Sequence, residues 1–393
     1  MIRFLIALAL CLAPVYSQVT CSASASAPPV IRGNGGADLV GDIVVVCTSG
    51  SSVSTLVNFS YFLNTELTSR ITNPITMDTE ALLLIDDPQP GVPNTSNGFP
   101  YFGQVLGTAG IPAGDPGSGN VYQSQVVNNN QVVWPGVPFV TGGTRTFRFT
   151  NIRSNASVLG GSGNILSFLS ISGSFPVTLV NPQNVVAIAI SGLNFTSSHS
   201  SGLINLHFQE GFARAFKKRI ENTVVGPLTA VHQDVPGVDS CTESGFTPEF
   251  SSLTPGDIGS ATTGTRLLAR ITKLPPPVST VTVPNLVTAA SGLLVAHLVT
   301  SPLGSDFAAG TVLTGAGTTS LAVSGRAVDV LYEVTAAAPF MGINGCAVID
   351  SFDIAVAVPF GGGLGAVKVA GALAPRDATM IASPTAPTPR FVP

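Results

Sequence analysis

Formally charged side chains are scarce in this chain, and the scarcity limits what it can fold into. Asp, Glu, Lys and Arg make up 10% of the residues, whereas they make up about 25% of ordinary soluble domains. Hydrophobic residues nevertheless reach 45%, and there are 42 Gly and 30 Pro. This combination predicts an exported, turn-rich β protein whose surface is built from Ser, Thr, Asn and Gln.

Alternation of apolar and polar residues dominates the chain and indicates short β-strands. It is clearest at residues 145–150, 203–208, 326–334 and 350–358, and residues 42–46 form a β-branched run. Clusters of Gly, Pro, Asn and Ser separate these segments, and three consecutive asparagines predict a hairpin turn within residues 126–134. We therefore expect an all-β fold with two tandem antiparallel β-sandwich domains, Ig-like or jelly-roll.

One segment has helical rather than alternating spacing. Phe212, Phe216 and Ile220 recur every four residues, which predicts a short helical segment between the two domains. A segment rich in Pro and Gly follows and is typical of a linker. The predicted organisation is a signal peptide at 1–17, an N-terminal β domain at 18–225, a linker at 226–240, a C-terminal β-sandwich domain at 241–374 and a flexible tail rich in Pro, Ala and Thr at 375–393.

Residues 1–17 have the pattern of a secretory signal peptide. Residues 4–13 form an apolar run that is too short to span a bilayer as a helix, and Ser17 is a small residue at the cleavage position. An uncleaved N-terminal anchor is the alternative, but Pro14 and the polar segment after it end the run early. We expect cleavage before Gln18, a secreted, extracellular or cell-surface location, and no integral membrane span after cleavage.

Four cysteines remain after signal cleavage: Cys21, Cys47, Cys241 and Cys346. An even number in an exported chain predicts two disulfides, and four cysteines allow three pairings. We favour Cys21–Cys47 with Cys241–Cys346, because each pair stays within one half of the chain. A zinc site is the alternative, but the cysteines lack metal-ligand spacing and have no neighbouring His.

Three short motifs carry a resemblance to other proteins. They are residues 39–42 running into Cys47, residues 242–246, and residues 264–266 at the start of an alternating strand. Together they resemble a group of uncharacterised exported β-rich bacterial proteins. The resemblance implies bacterial export and tandem β domains, and it brings no activity and no site residue with it.

Motifs that would identify an enzyme are missing from the sequence. It contains no Gly-x-Ser-x-Gly nucleophile elbow, no phosphate-binding loop ending in Gly-Lys, and no His-Glu-x-x-His zinc motif. The four histidines are scattered, and residues 35–38 match only one unit of a calcium-binding repeat, which does not recur. We expect no catalytic residue, no metal ligand and no cofactor.

Carboxylates cluster around one apolar strand, residues 81–85. Glycosidases need two carboxylates about 5 to 10 Å apart, and glycan sites also use exposed aromatic rings. The candidate ligand-binding residues are Asp78, Glu80, Asp86, Asp87 and Trp134, with Tyr101, Phe102 and Tyr122 as further aromatic side chains. Ordinary turn chemistry is the competing interpretation, since Asp before Pro commonly begins a turn.

These observations favour an exported structural or adhesive cell-surface or extracellular protein. Its low-charge surface desolvates cheaply, so that pairing of strand edges meets little charge repulsion, and self-association or binding to other cell-surface components is expected. The alternative is a secreted carbohydrate-binding or glycoside-hydrolysing protein, with a glycan as its partner. A net charge of −4 with 17 basic residues argues against a nucleic-acid partner.

Overall fold

The computed structural model describes residues 19–69, 71–73, 76–86, 121–217, 264–303, 307, 309–336 and 348–374. Strands make up most of these residues, and they contain no α-helix; a single 3-10 turn at Ala156–Leu159 follows the cap residue Asn155. The all-β prediction is therefore confirmed. The predicted signal peptide, the linker at 226–240 and the tail at 375–393 lie outside the described residues.

Strands from the N-terminal half surround a first hydrophobic core, and we call this part the first unit. Its strands are β1 (Val19–Ala25), β2 (Val30–Arg32), β3 (Asp38–Leu39), β4 (Ile43–Leu63), β5 (Glu66–Leu67), β6 (Ile71–Asn73), β7 (Asp78–Ile85), β8 (Val121–Asn128), β9 (Gln131–Thr150), β10 (Arg153–Asn155), β11 (Gly163–Gly173), β12 (Val177–Val180) and β13 (Gln183–Ile190). The main sheet has the order β2-β13-β11-β4-β9-β8-β7-β6, and β1 pairs with both β4 and β12. A small sheet has the order β3-β10-β5.

The long antiparallel pair β4–β9 organises the first unit. It runs from Ile43 opposite Phe149 to Phe62 opposite Gln131, with two shifts of register on the way. Such irregularities bend a ribbon; one end of β4 pairs with β1 and the other with β11. Aromatic rings from distant points of the ribbon meet in the core, where the centroids of Phe59 and Phe147 are 4.9 Å apart.

Strands later in the chain surround a second hydrophobic core, and we call this part the second unit. Its strands are β14 (Leu193–Ser200), β15 (Leu203–Glu210), β16 (Arg266–Thr272), β17 (Thr280–Pro284), β18 (Leu286–Thr288), β19 (Leu294–Thr300), β20 (Thr311–Val312), β21 (Thr318–Ala322), β22 (Val328–Ala336), β23 (Ser351–Ala357) and β24 (Lys368–Ala374). One sheet has the order β14-β15-β23-β17-β21, and the other has the order β18-β19-β22-β16-β24 with β20 paired to β19. The hairpin β14–β15 thus belongs to the second core, although it precedes the linker predicted at 226–240.

Two local predictions are confirmed. Strand β8 ends at Asn128 and β9 begins at Gln131, directly opposite, which is the predicted hairpin. Cys21 and Cys47 also lie opposite each other in the β1–β4 pair and form a disulfide. Cys241 and Cys346 are outside the described residues, so their pairing stays a prediction.

The predicted helical segment is not a helix where the structure describes it. Residues 211–217 form turns, and the Phe216 N–H donates to the Glu210 carboxylate at 2.6 Å instead of extending a helical ladder. Phe216 is buried and Phe212 is partly buried against the second core. The four-residue spacing therefore comes from a turn that packs both rings against the second core, while Ile220 lies outside the described residues.

Candidate functional site

Two of the carboxylates around β7, those of Asp78 and Asp86, make contacts within the fold. Asp86 follows β7 with a positive φ of 55°, accepts the Thr146 N–H at 3.1 Å and forms an ion pair with Arg145. Asp78 begins β7 and accepts from the Gln125 side-chain amide at 3.2 Å. Glu80 lies within β7, and Asp87 is outside the described residues. Asp78 and Asp86 thus make strand and turn contacts, and the role of the four carboxylates as ligand-binding residues stays a prediction.

The aromatic candidates are covered where they are described. Trp134 is completely buried, its indole N–H donates to the Tyr122 carbonyl at 3.1 Å, and its ring packs edge-on against Phe149 at 4.9 Å. Tyr122 is 6% exposed, and burial raises the pKa of its hydroxyl to about 12. Trp134 therefore fills the first core in this structure, where it has no face open to a sugar ring.

Histidine and carboxylate side chains do not gather into a metal site in the parts of the chain that are described, where no group of three or more His, Cys, Asp or Glu could hold an ion. His207 faces Asp353 at 2.7 Å as an exposed pair across β15 and β23. His297 is paired with the Leu313 carbonyl at 3.0 Å. These contacts are cross-strand and turn contacts of the kind that stabilise sheets.

A buried charge cluster joins the first unit to the second. Asp38 is fully buried; it accepts Arg32 Nη2 at 3.1 Å and the Arg32 backbone N–H at 3.1 Å, and it forms an ion pair with Lys217. The hydroxyl of Thr265 accepts from Arg32 Nη1 at 3.1 Å and from the Lys217 backbone at 2.9 Å. Burial alone would raise the pKa of Asp38, but Arg32 and Lys217 hold it well below its usual range. Asp38, the acidic residue of segment 35–38, is thus neutralised by side chains of this chain.

Two buried acidic side chains, Glu210 and Asp350, lie close together in the second unit. Glu210 and Asp350 are each 2% exposed; Glu210 accepts the Phe216 N–H at 2.6 Å and the Asp350 N–H at 2.8 Å. Asp350 accepts the Ser291 and Ser351 N–H groups at 3.1 and 2.9 Å. Burial raises the pKa of Glu210 to about 7. This is the titration expected of a catalytic acid, but both oxygens of Glu210 are occupied by backbone groups and the pair is closed to substrate.

The outer strands of the five-stranded sheet in the second unit are β14 and β21. Within the described residues, β14 pairs only with β15, and β21 pairs only with β17. Neither outer strand contains Asp, Glu, Lys, Arg or Pro, and Thr196, Ser198 and Ser320 are exposed on them. Natural sheets usually protect such edges with charge, Pro or a covering element, and these two strands carry neither charge nor Pro.

The outer face of the first unit's main sheet carries exposed apolar side chains. Phe168 in β11 is 41% exposed and lies between Phe62 of β4 and Gln183 of β13. Ile188, further along β13, is 38% exposed and lies opposite Val30 of β2. Exposed apolar side chains grouped on one face are typical of interaction surfaces.

Comparisons with known proteins do not place the chain in a family. No family model and no curated protein matches it. Among solved structures, the chain is similar to one described as "Biofilm associated protein - B domain", with a TM-score of 0.20 and 6% identity over 86% of this chain and 72% of that chain. An overlap of this size carries no argument about function. The described residues also contain no helix long and apolar enough to cross a membrane.

Sequence reasoning singled out the carboxylates near β7 and missed both the outer strands and the buried clusters. The outer strands had a visible signal, because residues 193–200 and 318–322 are runs without a single formal charge. The clusters had none, because Asp38 and Lys217 are 179 positions apart in the sequence.

Proposed function

We propose that this chain is an exported structural or adhesive protein of a cell surface or extracellular matrix, which self-associates through the edges of the second unit. The observation that carries the proposal is that β14 and β21, the two outer strands of one sheet, bear no charge and no Pro. Two copies that pair β14 with β21 would extend the sheet from molecule to molecule, since each edge offers unpaired backbone N–H and C=O groups. We further interpret both units as sandwiches. The purely antiparallel arrangement expected from the sequence is wrong for the first unit, where β1 pairs with β12 and β13 pairs with β2 in parallel.

The energetics of such pairing favour a neutral surface. Bringing edges together removes water from the flanking side chains, and Ser and Thr cost far less to desolvate than charged groups do. A head-to-tail contact between different edges does not close on itself unless the rotation closes a ring, so it produces chains or rings of molecules. Uncharged edges also predict an assembly that moderate salt does not dissolve, because little of its stability is screened Coulomb attraction.

The test uses residues 18–393 without reducing agent, measured by light scattering and negative-stain imaging. We expect ordered polymers or large oligomers that persist in moderate salt. A Lys placed on either edge, as Ser198→Lys or Ser320→Lys, should shift the population toward monomer, because a charge would be buried at the junction. Ser170→Lys, on an exposed position of the inner strand β11, is the matched control and should assemble as the unmodified chain does.

A strictly monomeric chain at high concentration would remove this proposal. The same would follow if both edge variants, Ser198→Lys and Ser320→Lys, assembled as the unmodified chain and the Ser170→Lys control do. The carbohydrate-binding alternative would then be tested by a glycan screen with Asp86→Asn.

A further inference from the structure

The outer face of the six-stranded sheet in the second unit holds two Arg–acid pairs in one row. Arg266 lies opposite Glu333 and Arg270 lies opposite Asp329 in the pairing of β16 with β22. Side chains four residues apart on a strand point to the same face, about 13 Å apart. The two pairs therefore present comparable groups in two places on one surface.

The first pair shows what such a group binds. Arg266 donates Nε and Nη2 to Glu333 at 3.0 and 2.8 Å, and its Nη1 donates to the main-chain carbonyls of Phe307 and Ala309 at 2.8 and 2.7 Å. Both charged side chains are less than 5% exposed. In this arrangement the carboxylate neutralises the guanidinium, and the remaining nitrogen holds an uncharged length of polypeptide.

The second pair has the same two hydrogen bonds from guanidinium to carboxylate, but within the described residues no main-chain carbonyl accepts from its guanidinium. Arg270 donates Nε and Nη2 to Asp329 at 2.8 Å each, while its Nη1 makes no hydrogen bond within the described part of the chain. A cavity of about 520 Å³ lies beside this pair. Its apolar lining includes Val299, Leu303 and Leu321, and its hydroxyl groups include those of Ser301 and Ser324.

The chemistry of this cavity selects an uncharged extended peptide. Nη1 can donate to carbonyl acceptors, the apolar lining offers apolar contacts, and the Arg270–Asp329 pair carries no net charge that would attract an anionic ligand. A Pro-rich segment satisfies these demands, because polyproline II has no internal hydrogen bonds and leaves its carbonyls available. Residues 383–389 have the sequence Ser-Pro-Thr-Ala-Pro-Thr-Pro and carry no charge.

The stretch of chain between β24 and this segment is long enough for the segment to reach the cavity. Strand β24 ends at Ala374, opposite Arg266, while Ala370 lies opposite Arg270 on the same strand. Nineteen residues follow Ala374, and the eight residues 375–382 can span up to about 26 Å, twice the distance back to Arg270. A short tether gives a millimolar effective concentration. We propose that the cavity beside Arg270 binds residues 383–389 of the same molecule through their main-chain carbonyl oxygens.

The experiment is photo-crosslinking in the full mature chain, residues 18–393. A photoreactive amino acid at Ser324, on the cavity rim, should crosslink within one molecule to residues 383–389, whereas the same group at the exposed Ser198 of β14 should not reach them. Arg270→Lys keeps the charge but loses the fork, so the crosslink yield should fall about tenfold. Lys368→Gln removes a charge from the adjacent β24 outside the cavity and should leave the yield unchanged.

A second variant leaves the cavity untouched. Replacing Pro384, Pro387 and Pro389 with Gly should also lower the yield several-fold, since a flexible segment pays more entropy to become extended. The proposal is overturned if Ser324 does not crosslink to the tail, if it crosslinks only to a second copy, or if Arg270→Lys gives the yield of the unmodified chain. Because Leu321 of the cavity lining belongs to β21, the crosslinking is carried out on dilute chain that light scattering shows to be monomeric, so that assembly through β14 and β21 does not decide the outcome.

Discussion

Removal of the Asp38 carboxylate should weaken the folded chain more than removal of any exposed acid. In Asp38→Asn the acceptor for Arg32 and Lys217 becomes neutral, while these two cations stay 6% and 5% exposed. Removing one partner of a buried charge set costs about 3 to 5 kcal/mol, because the charges left behind remain desolvated. Arg32 and Asp38 belong to the first unit and Lys217 and Thr265 to the second, so the loss should also loosen the contact between the units.

The dependence on pH gives the prediction a sign. The pKa of Asp38 is lowered in the folded chain, so its contribution to stability is present above the ordinary pKa of 3.8 and is lost as the pH falls below that value. The unmodified chain should lose about 1.4 kcal/mol relative to Asp38→Asn for each pH unit below 3.8, until the folded-state carboxyl is protonated as well. At neutral pH the difference between the two chains should be at its full size.

Urea unfolding of both chains between pH 7 and pH 2.5, followed by Trp134 fluorescence and by far-UV circular dichroism, measures this difference. Asp329→Asn is the matched control: its pair with Arg270 has side chains 25% and 50% exposed, and such pairs contribute only about 0.2 to 1 kcal/mol. The assignment of this cluster as a buried, charge-dependent contact between the units would be refuted by either of two results. One is a loss of unfolding free energy below 1 kcal/mol in Asp38→Asn at pH 7. The other is that the unfolding free energies of the two chains fall in parallel as the pH is lowered below 3.8.

Three further outcomes follow from the described contacts. Replacing Cys21 and Cys47 together with Ser should lower the unfolding free energy by about 3 kcal/mol, because the disulfide closes a loop of 26 residues, and reducing agent should have no further effect through this pair. The raised pKa of Glu210 means that its contribution to stability is complete below pH 4.5 and is lost as the pH rises through about 7; Glu210→Gln should therefore show a smaller drop in urea midpoint between pH 5 and pH 8, and an unchanged drop would count against the assignment. Trp134→Ala should cost about 3 to 5 kcal/mol as a core cavity, which calorimetry would detect as a lower Tm, and a loss of glycan binding with full stability would contradict its place in the core.

Local pattern predicts strands well in this chain. Residues 145–150 and 203–208 alternate, and they are strand in β9 and β15 because one face of each is buried. Trp134 shows what alternation alone does not predict, namely which face of a strand is buried. Its strand alternates, and Val132, two positions earlier, is buried, so Trp134 lies on the inner face as well. Only after the inner face has been assigned does the sequence exclude Trp134 as a ring that stacks on a sugar.

Other features depend on contacts that are distant in sequence. The Ser- and Gly-rich residues 48–52 resemble a turn, yet β4 continues through them because β9 pairs with both sides. Phe212 and Phe216 have helical spacing, but the Glu210 carboxylate and the second core hold them in a turn. The charge cluster at Asp38 requires residues from both units, so no local window contains the information that defines it.

The pairing of β15 with β23 determines the order in which parts of the second unit can fold. Leu203 to Gln209 lie opposite Ala357 to Ser351, more than 140 positions later in the chain. A ribosome or an export channel delivers the chain from its N-terminus, so β14 and β15 emerge early and keep an unsatisfied edge until β23 follows. The first unit can close during that interval, and β15 is meanwhile the segment that a chaperone would have to protect.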